Sequence, residues 1–174
     1  MPKQQGLTVL NLVFSLSIVA ILCGIAVPNM NHFVQKKRAD YALNLIAVEL
    51  NYARSHAINS RQHTIVCPSK DQQKCNNDWN LDRMVFVDSN QNEVRDEHES
   101  LLSLHKGLSS QHRVRWRSFG NKAFVRFDLR GSTLFQSGRF YWCNDTETIK
   151  RQLIVYRSGR IRKVAESQLQ ASCG

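Results

Sequence analysis

The chain has 174 residues, 42% of them hydrophobic and 22% charged, with 24 Lys+Arg against 14 Asp+Glu and a net charge of +10. These values exclude a disordered chain and leave room for one domain with a sizeable core, but not clearly for a second. Five cysteines are too few for a disulfide-dense mini-protein and enough for two bridges and a spare thiol. The charge is unevenly placed. Residues 1–102 hold 10 basic and 10 acidic side chains, whereas residues 103–174 hold 14 and 4, so the last 72 residues carry the whole excess. A basic half on a neutral half points to a polyanion, nucleic acid or anionic lipid; the bland alternative is a soluble basic surface.

The N-terminus carries the first strong signal. Met1 to Gly6 is a polar leader with Lys3 as its one charge, and Leu7 to Val27 is a run of 21 residues without any. As a helix that run extends about 31 Å, enough to cross a hydrocarbon core. A secretory signal would need small residues at a cleavage site after the apolar core. Cys23-Gly24-Ile25-Ala26, followed by Val27-Pro28, is a poor version of one, and Leu22 spoils a lipoprotein signal at Cys23. The third arrangement is a leader at residues 1–6, cut between Gly6 and Leu7, with the apolar helix kept on the mature protein. Gln4-Gln5-Gly6, Leu7-Thr8-Val9-Leu10 and an apolar helix broken by Pro28 resemble the processing site and stem of type IV prepilins. The resemblance implies cleavage after Gly6 by a prepilin peptidase, methylation of the new N-terminus, and a single pass of residues 7–28 through the inner membrane before assembly. Two positions depart from that pattern. Leu7 stands where Phe is usual, and Asn11 stands where a Glu pairs with a neighbouring subunit's terminal amine. A tip or low-copy place in a filament fits these departures better than one along the shaft.

The flanking charges and the cysteines disagree about the compartment of residues 29–174. Lys36-Lys37-Arg38 follows the apolar run and only Lys3 precedes it, which by the positive-inside rule favours a cytoplasmic domain. Cys67 and Cys75 are close in sequence, and Cys143 and Cys173 are both late. Two bridges between these pairs suit an oxidising periplasm. Their spacing lacks the C-x-x-C pairs of a zinc site, and Cys23 is expected to be unpaired.

Beyond Pro28 the helical pattern continues to about residue 60, with a kink expected near Pro28. Met30, Phe33, Val34, Tyr41, Leu45, Val48 and Tyr52 fall near one face at the 3.6-residue period, whereas Lys36, Asp40, Glu49 and Arg54 lie largely elsewhere. That apolar face is predicted to pack on a sheet. After residue 62 the period becomes that of strands: His63–Cys67, Met84–Asp88, Arg113–Arg117, Phe124–Asp128, Arg139–Cys143 and Leu153–Tyr156. Ser158-Gly159 is predicted to turn a last hairpin into Arg160–Val164. A long helix followed by an antiparallel sheet is an α+β plan.

The soluble part extends the resemblance. Val66-Cys67-Pro68-Ser69, Cys75, Asp78-Trp79, Val85-Phe86-Val87-Asp88 and Ser158-Gly159-Arg160-Ile161-Arg162 resemble the GspH/FimT group of minor pilins. That group implies a type IV pilin-like fold, other pilins as partners, and a place in the periplasm and then in the pilus at the cell surface. Within it, Gly-Arg-x-Arg near the C-terminus is similar to the motif of FimT proteins that bind DNA for natural transformation.

The residue chemistry agrees with a polyanion partner. Arg113, Arg115 and Arg117 alternate along one strand and so share a face, with Val114 and Trp116 turned inward. Arg157, Arg160, Arg162 and Lys163 surround the Gly159 turn. With a two-residue turn, Arg157 and Arg160 would be cross-strand neighbours, a repulsive pair unless an anion sits between them. Guanidinium forks grip phosphate bidentately, and Gly159 would let the backbone approach it closely. No base-reading motif is present, so binding of duplex DNA is expected to tolerate any sequence and to rest on counterion release. Trp116, Tyr141 and Trp142 are read first as strand aromatics of the core.

Asp88-x-Asn90-x-Asn92 with Asp96 and Glu99 has the oxygen spacing of a calcium loop, but Glu93 stands where the sharp turn wants Gly. An Asn/Asp-rich surface turn is the favoured reading, with no metal or cofactor assigned. His63, His98, His105 and His112 lack a nucleophile context, and no P-loop or G-x-S-x-G is present, so no catalysis is expected. The sequence is therefore read as a minor pilin that takes up DNA through Arg160, Arg162 and their basic neighbours. The alternatives are a structural minor pilin or type II secretion pseudopilin that primes assembly at the tip, and a membrane-anchored cytoplasmic DNA-binding protein.

Overall fold

The computed structural model describes residues 8–108, 113–144, 150–165 and 168–169, without the side chains of 25–29, 32 and 113. The predicted leader and its cleavage site lie outside the described residues. One long helix, α1, runs from Val9 to Ser60, close to the predicted span. The chain divides into two compact units at Lys37/Arg38.

In the first unit the helix is apolar and bare. Val9, Leu10, Leu12, Val13, Phe14, Leu16, Val19 and Leu22 are all more than half exposed. Cys23 is a free thiol, as expected. Among the described residues no helix is long and apolar enough to cross a membrane.

The second unit packs the rest of α1 with two antiparallel sheets of four strands. The strands are β1 (Thr64–Pro68), β2 (Arg83–Val87), β3 (Leu101–His105), β4 (Arg113–Ser118), β5 (Val125–Phe127), β6 (Gly138–Cys143), β7 (Lys150–Val155) and β8 (Ile161–Lys163). One sheet has the order β3-β2-β1-β5 and the other β4-β6-β7-β8. Six strands and the final hairpin stand where the residue patterns put them; β3 is additional. Its Leu-Leu-Ser-Leu-His has no β-branched or aromatic residue, the side chains that mark a strand.

The face of α1 that packs on the sheets differs from the predicted one. Ala39, Ala42, Leu43, Ile46, Leu50, Ala53 and Ala57 are buried, on one face at the helical period. Tyr41, Val48 and Tyr52 are exposed, as are Met30 and Phe33. The reason is steric: alanines let the helix axis sit close to the sheets, and a stripe of tyrosines would hold it off. Glu49, expected off the packed face, is buried and forms a two-pronged ion pair with Arg83 of β2, Nε to Oε2 and Nη2 to Oε1 each at 2.8 Å. At the other sheet, Arg151 Nε donates to Asp40 Oδ1 at 2.8 Å.

The core joins all three layers through Ile46, Leu50, Val66, Val85, Phe127, Phe140, Trp142 and Leu153. Trp79 packs edge-on to Phe140, and Phe140 stacks on Trp116. Val114 is buried and Trp116 lies against the core, so β4 points those two inward as alternation requires. Behind the first sheet a smaller cluster of Ile65, Cys67, Met84, Phe86 and Phe124 is closed by the Cys67–Cys75 disulfide. Cys143 is also in a disulfide; its expected partner Cys173 lies outside the described residues.

Candidate nucleic-acid interface

The last hairpin is the first part of the site. Val155 pairs with Ile161 and Ile154 with Arg162. Gly159 N donates to Tyr156 O and Tyr156 N to Arg160 O, at 2.8 and 2.9 Å. The loop is therefore Arg157-Ser158-Gly159, three residues with Gly159 in the left-handed region at φ 75°. A type I turn closed by a left-handed residue is a common three-residue hairpin. The expected two-residue turn is thus corrected: Tyr156, not Arg157, stands opposite Arg160. The extra residue relieves the arginine–arginine repulsion that a shorter turn would impose.

Gly159 has a different task from the one expected. It is buried, and a Cβ there would collide with the Gly131 carbonyl oxygen. Its missing side chain admits another loop of the protein, not a ligand. Arg54 of α1 braces both loops, donating from Nε to Gly131 O at 2.9 Å and from Nη2 to Ser158 O at 3.3 Å. Asp128 closes the loop beneath, with Oδ1 accepting from Arg130 N and Ser132 N and Oδ2 from Ser132 Oγ. Burial opposes the charge of Asp128, but these bonds outweigh it and hold its carboxyl below the usual range.

On this support Arg157, Arg160, Arg162 and Lys163 are all exposed. Arg157 lies over the Phe135 ring, 4.9 Å from its centroid. Arg162 Nη1 reaches Gln168 Oε1 at 3.4 Å. Lys163 pairs with Leu153, so by alternation it belongs to the opposite face from Arg162, at the sheet edge.

The sheet register supplies the second part. Arg117 stands opposite Arg139, Arg139 opposite Ile154, and Ile154 opposite Arg162. Directly opposed residues share a face, so three arginines form one row across all four strands, about 14 Å long at about 4.8 Å per strand. The next row is Arg115, Tyr141 and Gln152, and Arg113 begins a third opposite Cys143. Among the described residues, no Asp or Glu occupies this face of the four strands. Arg115 and Arg117 are exposed, Arg139 and Tyr141 half-buried, and Cys143 and Gln152 buried. Arg117 also lies over the Tyr141 ring at 5.7 Å. Arg139 was missed in the sequence, where it opens a hydrophobic strand; only the register shows it beside Arg117. Trp142 is fully buried, in the role read first for it.

The Asp88–Glu99 loop is closed on itself. Asp88 Oδ1 accepts from Asn92 N, Asp96 Oδ2 from the side-chain amides of Asn90 and Asn92, and Glu99 Oε1 from Ser89 N and Oγ. Glu93 adopts the left-handed turn conformation, φ 67°, at the position where a calcium loop has Gly. Burial, and then the nearby Glu99 charge, push the Asp88 carboxyl above its usual range.

A model of the family described as Type II transport protein GspH matches residues 42–159. The chain belongs to the GspH family. The match ends at Gly159, so Arg160 and Arg162 lie beyond the shared region. The structure is similar to the type IV minor pilin FimU of Pseudomonas aeruginosa PAO1, with a TM-score of 0.60 and 19% identity over 82% of this chain and 99% of that one. It is also similar to the minor pseudopilin EpsH of the Vibrio cholerae type 2 secretion system, with a TM-score of 0.51 and 13% identity over 74% and 97%. At these identities the likeness is one of fold: this GspH-family chain has a type IV pilin-like fold. No curated protein matches it.

Proposed function

We propose that this GspH-family protein is a minor pilin that binds duplex DNA through its phosphates, for DNA uptake in natural transformation. The row of Arg117, Arg139 and Arg162 across one sheet face, with Arg157 and Arg160 exposed at the adjoining hairpin, is the observation that carries the reading. At about 3.4 Å of helix axis per phosphate on each strand, a 14 Å row spans about four phosphates. Arg160 and Arg162 are the principal phosphate ligands, with Arg157, Arg115, Arg117 and Arg139 beside them; Lys163 and Arg113 add charge at the margins. Interactions with phosphate fix position and carry no base information, which suits uptake of any sequence.

The rest of the arrangement follows the pilin pattern. Residues 1–6 are a leader removed by the prepilin peptidase. Residues 7–28 hold the protein in the inner membrane, which explains the bare apolar helix of the first unit. Residues 29–174 stand in the periplasm and then in the pilus, where the Cys67–Cys75 disulfide persists. Intact mass of membrane-extracted protein tests the cleavage: a mature chain beginning at Leu7 is expected, and one beginning after Pro28 refutes the pilin arrangement.

For DNA binding the test is a salt series on wild type and the Arg160→Gln/Arg162→Gln double variant. Both side chains are exposed, so thermal unfolding should be unchanged. Affinity should fall for every duplex alike, and the slope of log K against log salt should become shallower by about 0.9 for each phosphate no longer neutralised. Transformation should fail while pili still assemble. A well-folded double variant that binds as tightly as wild type refutes the assignment. Wild type that fails to bind at low salt leaves a structural minor pilin or pseudopilin that primes assembly.

A further inference from the structure

We infer that the hairpin end of sheet β4-β6-β7-β8 is a base-stacking platform for single-stranded DNA, formed by Phe119, Phe135 and Tyr156. The inference rests on the DNA-binding reading above and adds a strand preference to it. The register places Ser118, Gly138, Val155 and Ile161 together at one end of the four strands. Phe119 follows Ser118, Tyr156 follows Val155, and Phe135 lies in the segment that leads into Gly138. Phe119 is 72% exposed, Phe135 65% and Tyr156 37%. A single exposed ring means little. Three at one sheet end, beside exposed Arg157 and Arg160, are the combination of aromatic faces and cations that single strands use.

The rings stand on a fixed frame. Phe119 N donates to Ser137 O at 2.9 Å, and Thr133 N to Arg157 O at 3.0 Å. Thr133 Oγ1 donates to Tyr156 O at 3.1 Å. Buried Gln136, next to Phe135, accepts from Arg126 N at 2.8 Å. These bonds join the segment bearing Phe135 to the hairpin bearing Tyr156 and Arg157, so little order has to be imposed when a base arrives. Arg157 already lies over one side of Phe135, and a guanidinium plane can continue a stack of bases. In a duplex the base faces are covered by their neighbours, so these rings have nothing to stack on. The basic row serves either form of DNA, whereas the aromatic end serves only the single strand.

The test compares the full chain in nonionic detergent with its Phe119→Leu/Phe135→Leu variant, using fluorescently labelled dT20 and a 20-base-pair duplex as probes. Leucine keeps an apolar side chain and removes the ring. Stacking changes affinity by roughly 5- to 150-fold per base. The expected result is at least a tenfold loss for dT20 with duplex affinity within twofold of wild type. Phe119→Trp, which enlarges the ring, should bind dT20 at least as tightly as wild type. If the leucine variant unfolds early, the tryptophan variant and Phe119→Leu alone carry the comparison. Equal losses on both probes, or unchanged affinity for both, overturn the platform and leave the phosphate reading standing. Unchanged DNA binding with impaired association to other pilins marks a protein interface instead. Failure of wild type to bind either probe overturns both readings.

Discussion

The two sheets treat arginine in opposite ways. In β3-β2-β1-β5, strands β1 and β2 are buried along their whole length, and Arg83 is enclosed with one matching carboxylate, that of Glu49. In β4-β6-β7-β8 one face joins the core while the other presents Arg115, Arg117 and Arg162 to solvent. The sequences Arg83-Met-Val-Phe-Val and Arg113-Val-Arg-Trp-Arg both begin with arginine, but the first continues as an unbroken apolar run and the second alternates arginine with apolar residues. Burial, more than residue type, separates a structural arginine from one able to meet a ligand. Charge in the first sheet should therefore govern stability, and charge in the second should govern binding.

The strongest break of that contrast is at Glu49. Glu49→Ala leaves Arg83 buried without its carboxylate, which costs about 3–5 kcal/mol. Arg83 Nη1 already has no hydrogen-bond partner among the described residues, and the variant removes the acceptor of Nε and Nη2 as well. Replacing both by apolar residues, Glu49→Leu/Arg83→Met, should recover most of the loss. Thermal unfolding of the three proteins checks this, and a single variant as stable as wild type would show the pair to be dispensable.

Gly159→Ala comes next. A left-handed conformation costs a non-glycine residue about 1–2 kcal/mol, and the added Cβ collides with the Gly131 backbone. A loss of about 2–4 kcal/mol is expected, together with a loss of DNA affinity although Arg160 and Arg162 are still present. Unfolding and duplex binding measured on the same variant separate the role of support from that of ligand. Retained affinity would show that the brace does not position the arginines.

Breaking the Cys67–Cys75 bridge should cost stability and leave the basic face of the other sheet as it is. The cysteines are 8 residues apart, and closing so short a loop is worth about 2.5 kcal/mol by chain entropy. Cys67→Ser/Cys75→Ser should lower the melting temperature by roughly 5–10 °C, at about 2–4 °C per kcal/mol, and leave DNA affinity unchanged. A fall in affinity would mean that the two sheets are not independent in the way their burial suggests.

Much of the fold was legible because its signals are local. The helix span, six strands and the last hairpin follow from residue periods, and Cys67–Cys75 from proximity in the chain. What was not legible depends on depth and register. The large side chains Tyr41, Val48 and Tyr52 have the right period for a core face, but the alanine stripe beside them gives closer packing. Glu49 looks like a surface residue until Arg83, 34 positions away, is brought to it. The hairpin differs by one residue from the expected turn, which is enough to put Tyr156 opposite Arg160. Arg139 joins the basic row only when β6 is aligned with β4, a pairing that no neighbouring residue encodes.

The smallest effects, about 1 kcal/mol each, come from two carboxyls with opposite signs. Asp128 braces the hairpin loop, and its carboxyl lies below the usual range because its hydrogen bonds outweigh burial. Its contribution is therefore complete above the ordinary carboxylate value of about 3.9 and is lost as pH falls through the folded value. Asp88, at the end of β2, lies above the usual range because of burial and the Glu99 charge, and its buried Oδ2 has no partner among the described residues. The ionised form therefore costs stability, and the stability that goes with the protonated form disappears as pH rises through the folded value. At pH 7, Asp128→Asn should lower the melting temperature and Asp88→Asn should raise it, by about 2–4 °C each. Asparagine at 88 keeps an oxygen for the Asn92 amide and removes the charge beside Glu99. As pH falls Asp88→Asn should converge on wild type first, since that carboxyl takes up its proton above the usual range, whereas Asp128→Asn should stay below wild type until the pH passes under the usual range. Melting curves of the three proteins from pH 7 down through the carboxylate range decide the matter. If Asp88→Asn lowers the melting temperature at pH 7, the Glu93 and Asn92 amides and the Arg126 charge outweigh burial and Glu99 at Asp88.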